Sequence, residues 1–197
     1  MKPDWLRAAE YAGLELDPGQ REQMSRFRRW LAEEGIKAGG LGPGEESRLE
    51  RRHLADSILF ASQLDSVDEV WDLGSGVGLP GIPLAISMPS TGFVLVDRSG
   101  RRVDLTRRAV RVLGLENCQV VAGEIENLGG PLPALVSRAS LPPPQLGEVA
   151  SRVLAPGGVA VVGGSWREAP RHPGWTTIEI PPDVLDQPIW LLIMRRQ

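Results

Sequence analysis

The 197-residue chain is poor in the residues that build covalent and metal cross-links, with one cysteine, Cys118, and two histidines. A single cysteine excludes an internal disulfide and any multi-cysteine metal site. The histidines, His53 and His172, lack clustered acids around them, so no metal centre is expected. Long apolar runs are missing too. Runs such as IWLLIM, Ile189 to Met194, fall far short of the roughly 20 residues a membrane-spanning helix needs. The opening MKPDWLRAAE carries no apolar secretory core. These absences point to a soluble, cytoplasmic protein that keeps off membranes. The net charge of −3 supplies no global positive field for nucleic acid. The basic residues are almost all arginine and unevenly placed, so local patches matter more than the total.

What is present has a clear order. The length suits one core with a short extension. Residues 1–66 read as a helical N-terminal cap. Asp17 and Pro18 provide an N-cap and a first-turn proline for a helix that Gly35 closes, and a glycine-rich loop at 39–44 precedes a second helix from about Glu45 to Leu64. Over 67–197, short β-branched runs alternate with helical stretches. Strands are predicted at Glu69–Leu73, Phe93–Asp97, Gln119–Ala122, Ala134–Ser137 and Val159–Gly163, with helices at Pro80–Met88, Arg101–Leu113 and Pro144–Leu154. That alternation predicts an α/β fold with a parallel sheet. The tail runs TTIEI and PIWLLIM are joined by too few residues for a helical crossover, so they should pair antiparallel at a sheet edge.

One loop carries the chemistry. In WDLGSGVGLPGIPLA, Trp71 to Ala85, Gly76, Gly78 and Gly81 spell the dinucleotide pattern G-x-G-x-x-G, whereas Gly74, Gly76 and Gly78 follow an acid, Asp72, in a second frame. In a dinucleotide fold the first glycine directly follows the strand, and helix N-terminal N–H groups hold a pyrophosphate. With the strand ending at Leu73, the first glycine is Gly74, and the six-residue pattern then meets Leu79 where its last glycine should stand. Asp72 would repel a pyrophosphate and suits a cationic ligand. S-adenosylmethionine, a sulfonium without phosphate, fits better, and glycines let backbone approach it closely. Asp97 ends the next strand, where a carboxylate can accept both ribose hydroxyls; that acid alone would serve NAD equally. A purely structural tight turn is the remaining alternative.

The runs RRHLADSILF, WDLGSGVGLPGIPLAI, VLVDRSGRRVDLTRRAVRVLGLENCQVVAGEIENL, SRAS and LAPGG together resemble the bacterial 16S ribosomal RNA guanine-N7 methyltransferases, the glucose-inhibited division protein B family. The resemblance covers roughly His53 to Gly164. It implies a Rossmann-like, class I S-adenosylmethionine-dependent methyltransferase fold with a mostly parallel seven-stranded sheet and a helical N-terminal cap. It implies S-adenosylmethionine as cofactor, ribosomal RNA or the small ribosomal subunit as partner, and no metal; a monomer is expected. Carried over by position, Gly74 and Leu79 contact the cofactor, Asp97 holds its ribose, and Ile125 and Glu126 lie on its adenine side. Arg138, from the S-R-A run, serves the cofactor and the reacting base. With Asp72, Gly76 and Gly78 from the loop, these make up the candidate site, and Arg138 is the candidate catalytic residue.

Guanine N7 presents an in-plane lone pair, so methyl transfer needs alignment and charge stabilisation but no base. Two absences agree: SRAS stands where amino-group methyltransferases carry an N-P-P-Y-like run, and Cys118 begins a strand away from the ligand edge, unlike a cytosine-C5 nucleophile. The arginines at 101, 107, 108 and 111 share one helix face, read as a solvated face in preference to an RNA track. A second basic region gathers Arg26, Arg28 and Arg29 with Arg48, Arg51 and Arg52. His53 and Asp56 match the family's H-x-x-D-S run and suit either packing or a substrate-side role. This chain departs from the family in lacking its Asn-Leu-Thr segment and in carrying Glu124 and Gly163 where it usually has arginine and lysine, which makes it a diverged member. The departures fall on the substrate side. They keep open two alternatives: a methyltransferase acting on another RNA or a small molecule, and a non-catalytic cofactor-binding protein.

Overall fold

A computed structural model describes residues 2–124, 127, 129–164 and 166–197. Seven strands, β1 (Glu69–Leu73), β2 (Gly92–Asp97), β3 (Cys118–Ala122), β4 (Leu132–Arg138), β5 (Leu154–Gly163), β6 (Thr176–Ile180) and β7 (Ile189–Arg195), form one sheet in the order β3-β2-β1-β4-β5-β7-β6. The first five run parallel, and β7 pairs antiparallel with both β5 and β6. The tail hairpin thus closes the sheet as expected, with β7 inside and β6 at the edge. The strand order reverses between β1 and β4, and open α/β sheets bind ligands at the carboxyl ends of such a switch point.

Helices α1 (Asp4–Tyr11), α2 (Pro18–Trp30), α4 (Gly81–Ser87) and α5 (Gly100–Leu113) cover one face, while α6 (Pro143–Val153) lies on the other. Asp17 caps α2 reciprocally: its carboxylate accepts from Gln20 N, and Gln20 Oε1 accepts from Asp17 N, both at 2.8 Å. The cap is not packed as a separate body, since Trp5, Phe27 and Leu54 share one apolar cluster with Leu84, Leu95 and Val136. No helix among the described residues is long and apolar enough to cross a membrane.

The stretch from Glu45 to Leu64 departs from the regular helix its spacing predicts. It winds as a 3-10 segment (Pro43–Arg48), a π-helical segment (Leu49–Ala55), a single α-turn, α3 (Asp56–Ile58), and a second 3-10 segment (Leu59–Gln63). Nearly every residue from His53 to Ala61 is buried. Packing against several neighbours, not one amphipathic face, therefore sets its winding, and apolar spacing carries no record of that. The short link between β6 and β7 also holds one turn, α7 (Pro182–Leu185).

Candidate active site

β1 ends at Leu73, so Gly74 opens the loop. Three successive glycines have positive φ, at +72° (Gly74), +59° (Gly76) and +90° (Gly78), which L side chains rarely adopt. Their surroundings differ. A Cβ on Gly74 would lie 2.5 Å from Ser140 Cβ, so glycine lets the turn after β4 pack on the loop after β1. A Cβ on Gly78 would collide with Ile82, whereas one on Gly76 would meet nothing closer than a backbone oxygen at 4.0 Å. Gly76 is the glycine that faces open space. Gly81 has another reason again: its Cβ would lie 2.7 Å from Asp72 Oδ2 and from Leu95 Cδ1. Close packing thus accounts for the third letter of the dinucleotide pattern.

A cavity of about 730 Å³ opens beside the loop at the carboxyl ends of β1, β2 and β4. Of the sequence-predicted residues it brings together Gly74, Gly76, Leu79, Asp97 and Arg138. Asp72 and Gly78 do not line it. The pleat explains Asp72: it shares the α4 face with Val70, opposite Trp71 and Leu73, and is fully buried, and its Oδ2 accepts from Gly81 N at 2.8 Å. Burial pushes its carboxyl up to about 7, and its Oδ1 has no hydrogen-bond partner among the described residues. Ile125 and Glu126 lie outside the described residues; Glu124, just before them, lines the cavity.

The chemistry of the loop discriminates between ligands. The N–H groups of Gly74 and Ser75 donate to Val96 O, those of Gly78 and Leu79 to Ser75 O, and that of Gly76 to Asp97 Oδ2 at 3.0 Å. A pyrophosphate cradle needs such groups free; here they are spent on the protein. Asp97 also accepts from Ser99 N at 2.8 Å and keeps lone pairs for hydroxyl donors. Ser75 Oγ, buried in the cavity wall, has no partner among the described residues. An acid at the second strand, an open glycine and an unsatisfied hydroxyl fit a phosphate-free nucleoside with a polar tail.

Several supports of the site have no signature in the sequence. Thr106 Oγ1, the one hydroxyl among the buried residues of α5, donates to Gly76 O at 2.8 Å. Gly40, from the loop at 39–44, lies against Val77 so closely that a Cβ would collide with it, which brings the cap onto the cavity rim. Gln145, Glu148 and Arg152 of α6 form the opposite rim, with no motif to announce them.

Arg138, at the end of β4, sits where this cavity meets a second one of about 160 Å³. Its Nη1 donates to Arg52 O at 2.8 Å, and its Nη2 lies 3.0 Å from His53 Nδ1. An arginine only donates, so Nδ1 accepts and Nε2 carries the hydrogen, which it donates to Glu45 Oε2 at 2.8 Å. Burial, then the charge of Arg138, pushes His53 down to about 4, and the bond from His53 pulls Glu45 below its usual range. Burial also lowers Arg138 from its ordinary value. The guanidinium is thereby held from behind, by the π-helical segment, with its orientation fixed. At Gly163 a Cβ would lie 2.5 Å from Phe60 Cζ, so this departure from the family is filled by an aromatic ring.

The strand order, the antiparallel seventh strand and the cavity beside β1, β2 and β4 define the class I methyltransferase fold. Solved structures agree. A methyltransferase from Geobacter sulfurreducens is 18% identical over 92% of this chain and 89% of its own, with a TM-score of 0.57. A SAM dependent methyltransferase from Aquifex aeolicus is 17% identical over 82% and 97%, also at 0.57.

The model of the family rRNA small subunit methyltransferase G matches residues 20–168, and the chain belongs to that family. Curated relatives include the ribosomal RNA small subunit methyltransferase G of Acidothermus cellulolyticus, 37% identical over 68% of this chain and 60% of the relative. That of Mycobacterium leprae is 43% identical over 68% and 56%. The chain therefore spans 60% or less of these two relatives' lengths.

Proposed function

We propose that the chain transfers a methyl group from S-adenosylmethionine to N7 of a guanine in small-subunit ribosomal RNA. The observation that carries this reading is the meeting of Gly76, Asp97 and Arg138 in one switch-point cavity whose loop N–H groups are already engaged. Such a loop suits a cationic, phosphate-free nucleoside better than a dinucleotide. Membership of the family supplies the substrate class.

The cofactor, when bound, supplies an electrophilic methyl group. Asp97 holds the ribose hydroxyls while its bonds to the loop keep the carboxylate in place. Gly74, Gly76 and Leu79 give close backbone approach, and Ile125 and Glu126 take the adenine side, as the family resemblance implies. Asp72 and Gly78 act from behind: Asp72 fixes the start of α4 through Gly81, and Gly78 makes room for Ile82. Arg138 orients the base by donating to its oxygen, which a guanidinium already held by Arg52 O and His53 does without reorganising. The acceptor nitrogen carries no proton, so these residues need not remove one.

Calorimetry with S-adenosylmethionine and with NAD tests the cavity. Digestion and mass analysis of ribosomal RNA from small subunits incubated with the protein and methyl donor tests the transfer. Preferential NAD binding would overturn the cofactor reading; donor binding with no transfer would leave a cofactor-binding protein without this activity.

A further inference from the structure

The small cavity behind Arg138 has a composition that the cofactor does not use. Its walls include Asp56, Phe60, Arg138, Ala139 and Trp190. Two of these carry buried polar atoms with no hydrogen-bond partner among the described residues: Asp56 Oδ1, an acceptor, and Trp190 Nε1, a donor. An unsatisfied acceptor and donor in one cavity are costly unless a ligand completes them. Phe60 and Trp190 add flat apolar surface, the usual platform for a nucleobase. Arg138 and Ala139 line both cavities, so a ring seated in the smaller one has an edge toward the larger.

We propose that this cavity is the pocket of the target base, and that Asp56 selects guanine by accepting from its N1–H and 2-amino groups. The proposal rests on the reading of the larger cavity as the methyl-donor site. Guanine presents two parallel donors on the edge opposite N7, which match one carboxylate. Adenine has an unprotonated N1 and no 2-amino group. With that edge on Asp56 and O6 toward Arg138, N7 is left facing the shared opening. Trp190 Nε1 complements an acceptor of the same ring. Burial raises the Asp56 carboxyl to about 7, against the pull of Arg138, Arg52 and Arg51, as expected for a carboxylate waiting for donors.

The test uses fluorescently labelled five-nucleotide RNAs, uridines around one central guanosine, inosine or adenosine, titrated against the whole protein with saturating S-adenosylhomocysteine. The guanosine RNA should bind about tenfold tighter than the inosine RNA, which lacks only the 2-amino group, with adenosine weakest. Asp56→Asn should erase the difference between guanosine and inosine while leaving affinity for S-adenosylhomocysteine within about twofold. Equal binding of guanosine and inosine RNAs by the unaltered protein would overturn the proposal even if the variant failed to fold. So would a preference that survives in Asp56→Asn, or no measurable binding of any RNA. If S-adenosylhomocysteine fails to bind but the guanosine preference persists, the donor-site reading falls and the base pocket stands.

Discussion

At the scale of single residues, the three glycines after β1 separate binding from stability. Gly76→Ala introduces a methyl group into open cavity at φ +59°, a strain of about 1–2 kcal/mol, so the variant should fold and lose most of its affinity for the methyl donor. Gly78→Ala forces a methyl group onto Ile82, outside the cavity. It should lower the melting temperature by several degrees more than Gly76→Ala does. Calorimetry and thermal unfolding of the pair check this, and donor affinity unchanged in Gly76→Ala would remove the loop from the site.

His53 gives a pH signature. Its folded value is pushed down to about 4 from 6.5, so between those values the unfolded chain binds a proton that the folded chain refuses. Stability from neutral His53 is full above 6.5 and is lost as pH falls toward 4. Asp72 works in the opposite sense: its carboxyl is raised from 3.8 to about 7, so its contribution falls as pH climbs through that window. In denaturant titrations, His53→Asn should flatten the acid-side loss and Asp72→Asn the loss toward neutral pH. A His53→Asn profile parallel to the parent's would mean that the ring takes up its proton equally in the folded and the unfolded chain.

At the scale of elements, the sheet was legible because each strand is a short β-branched run between helical stretches. The loop frame was legible because Leu73 ends a strand. The irregular winding over 43–63 was not, since π and 3-10 turns arise from packing on all sides and leave no period of their own. That gap hid the arrangement of Glu45, His53 and Arg138: the residues are 93 positions apart at their extremes, and only the fold joins them. Asp72 was placed at the ligand edge from its position in the strand, but a strand end does not say to which face a side chain points.

Helix α5 carries the arginine stripe. Three arginines of the stripe are engaged with the protein: Arg101 donates to Ala38 O, Arg107 to Val120 O, and Arg108 pairs with Glu34. Changing all three to glutamine should cost about 0–1 kcal/mol per residue and lower the melting temperature by a few degrees. The salt dependence of RNA binding should stay as it was, because these side chains tie α5 to the cap and to β3. A shallower salt slope in the variant would return this face to the RNA path.

At the scale of the whole molecule, cap and sheet share one core, and the cavity is built from both: the loop at 39–44 on one side, α6 on the other, the strand ends beneath. A ligand that binds there stabilises the entire fold. Methyl donor at about a hundred times its dissociation constant should add about 2.7 kcal/mol, raising the melting temperature by roughly 5–10 °C. NAD at equal concentration should leave it unchanged.

Transfer itself shows whether this cavity positions a methyl donor against guanine N7. Isotopically labelled S-adenosylmethionine is incubated with small ribosomal subunits lacking the modification, using the parent protein and Gly76→Ala in parallel, and labelled nucleosides are separated. Label should appear as 7-methylguanosine with the parent protein and fall at least about a hundredfold with Gly76→Ala, the loss of some 3 kcal/mol of transition-state stabilisation. Label on any other nucleoside, or equal transfer by both proteins, would contradict that positioning.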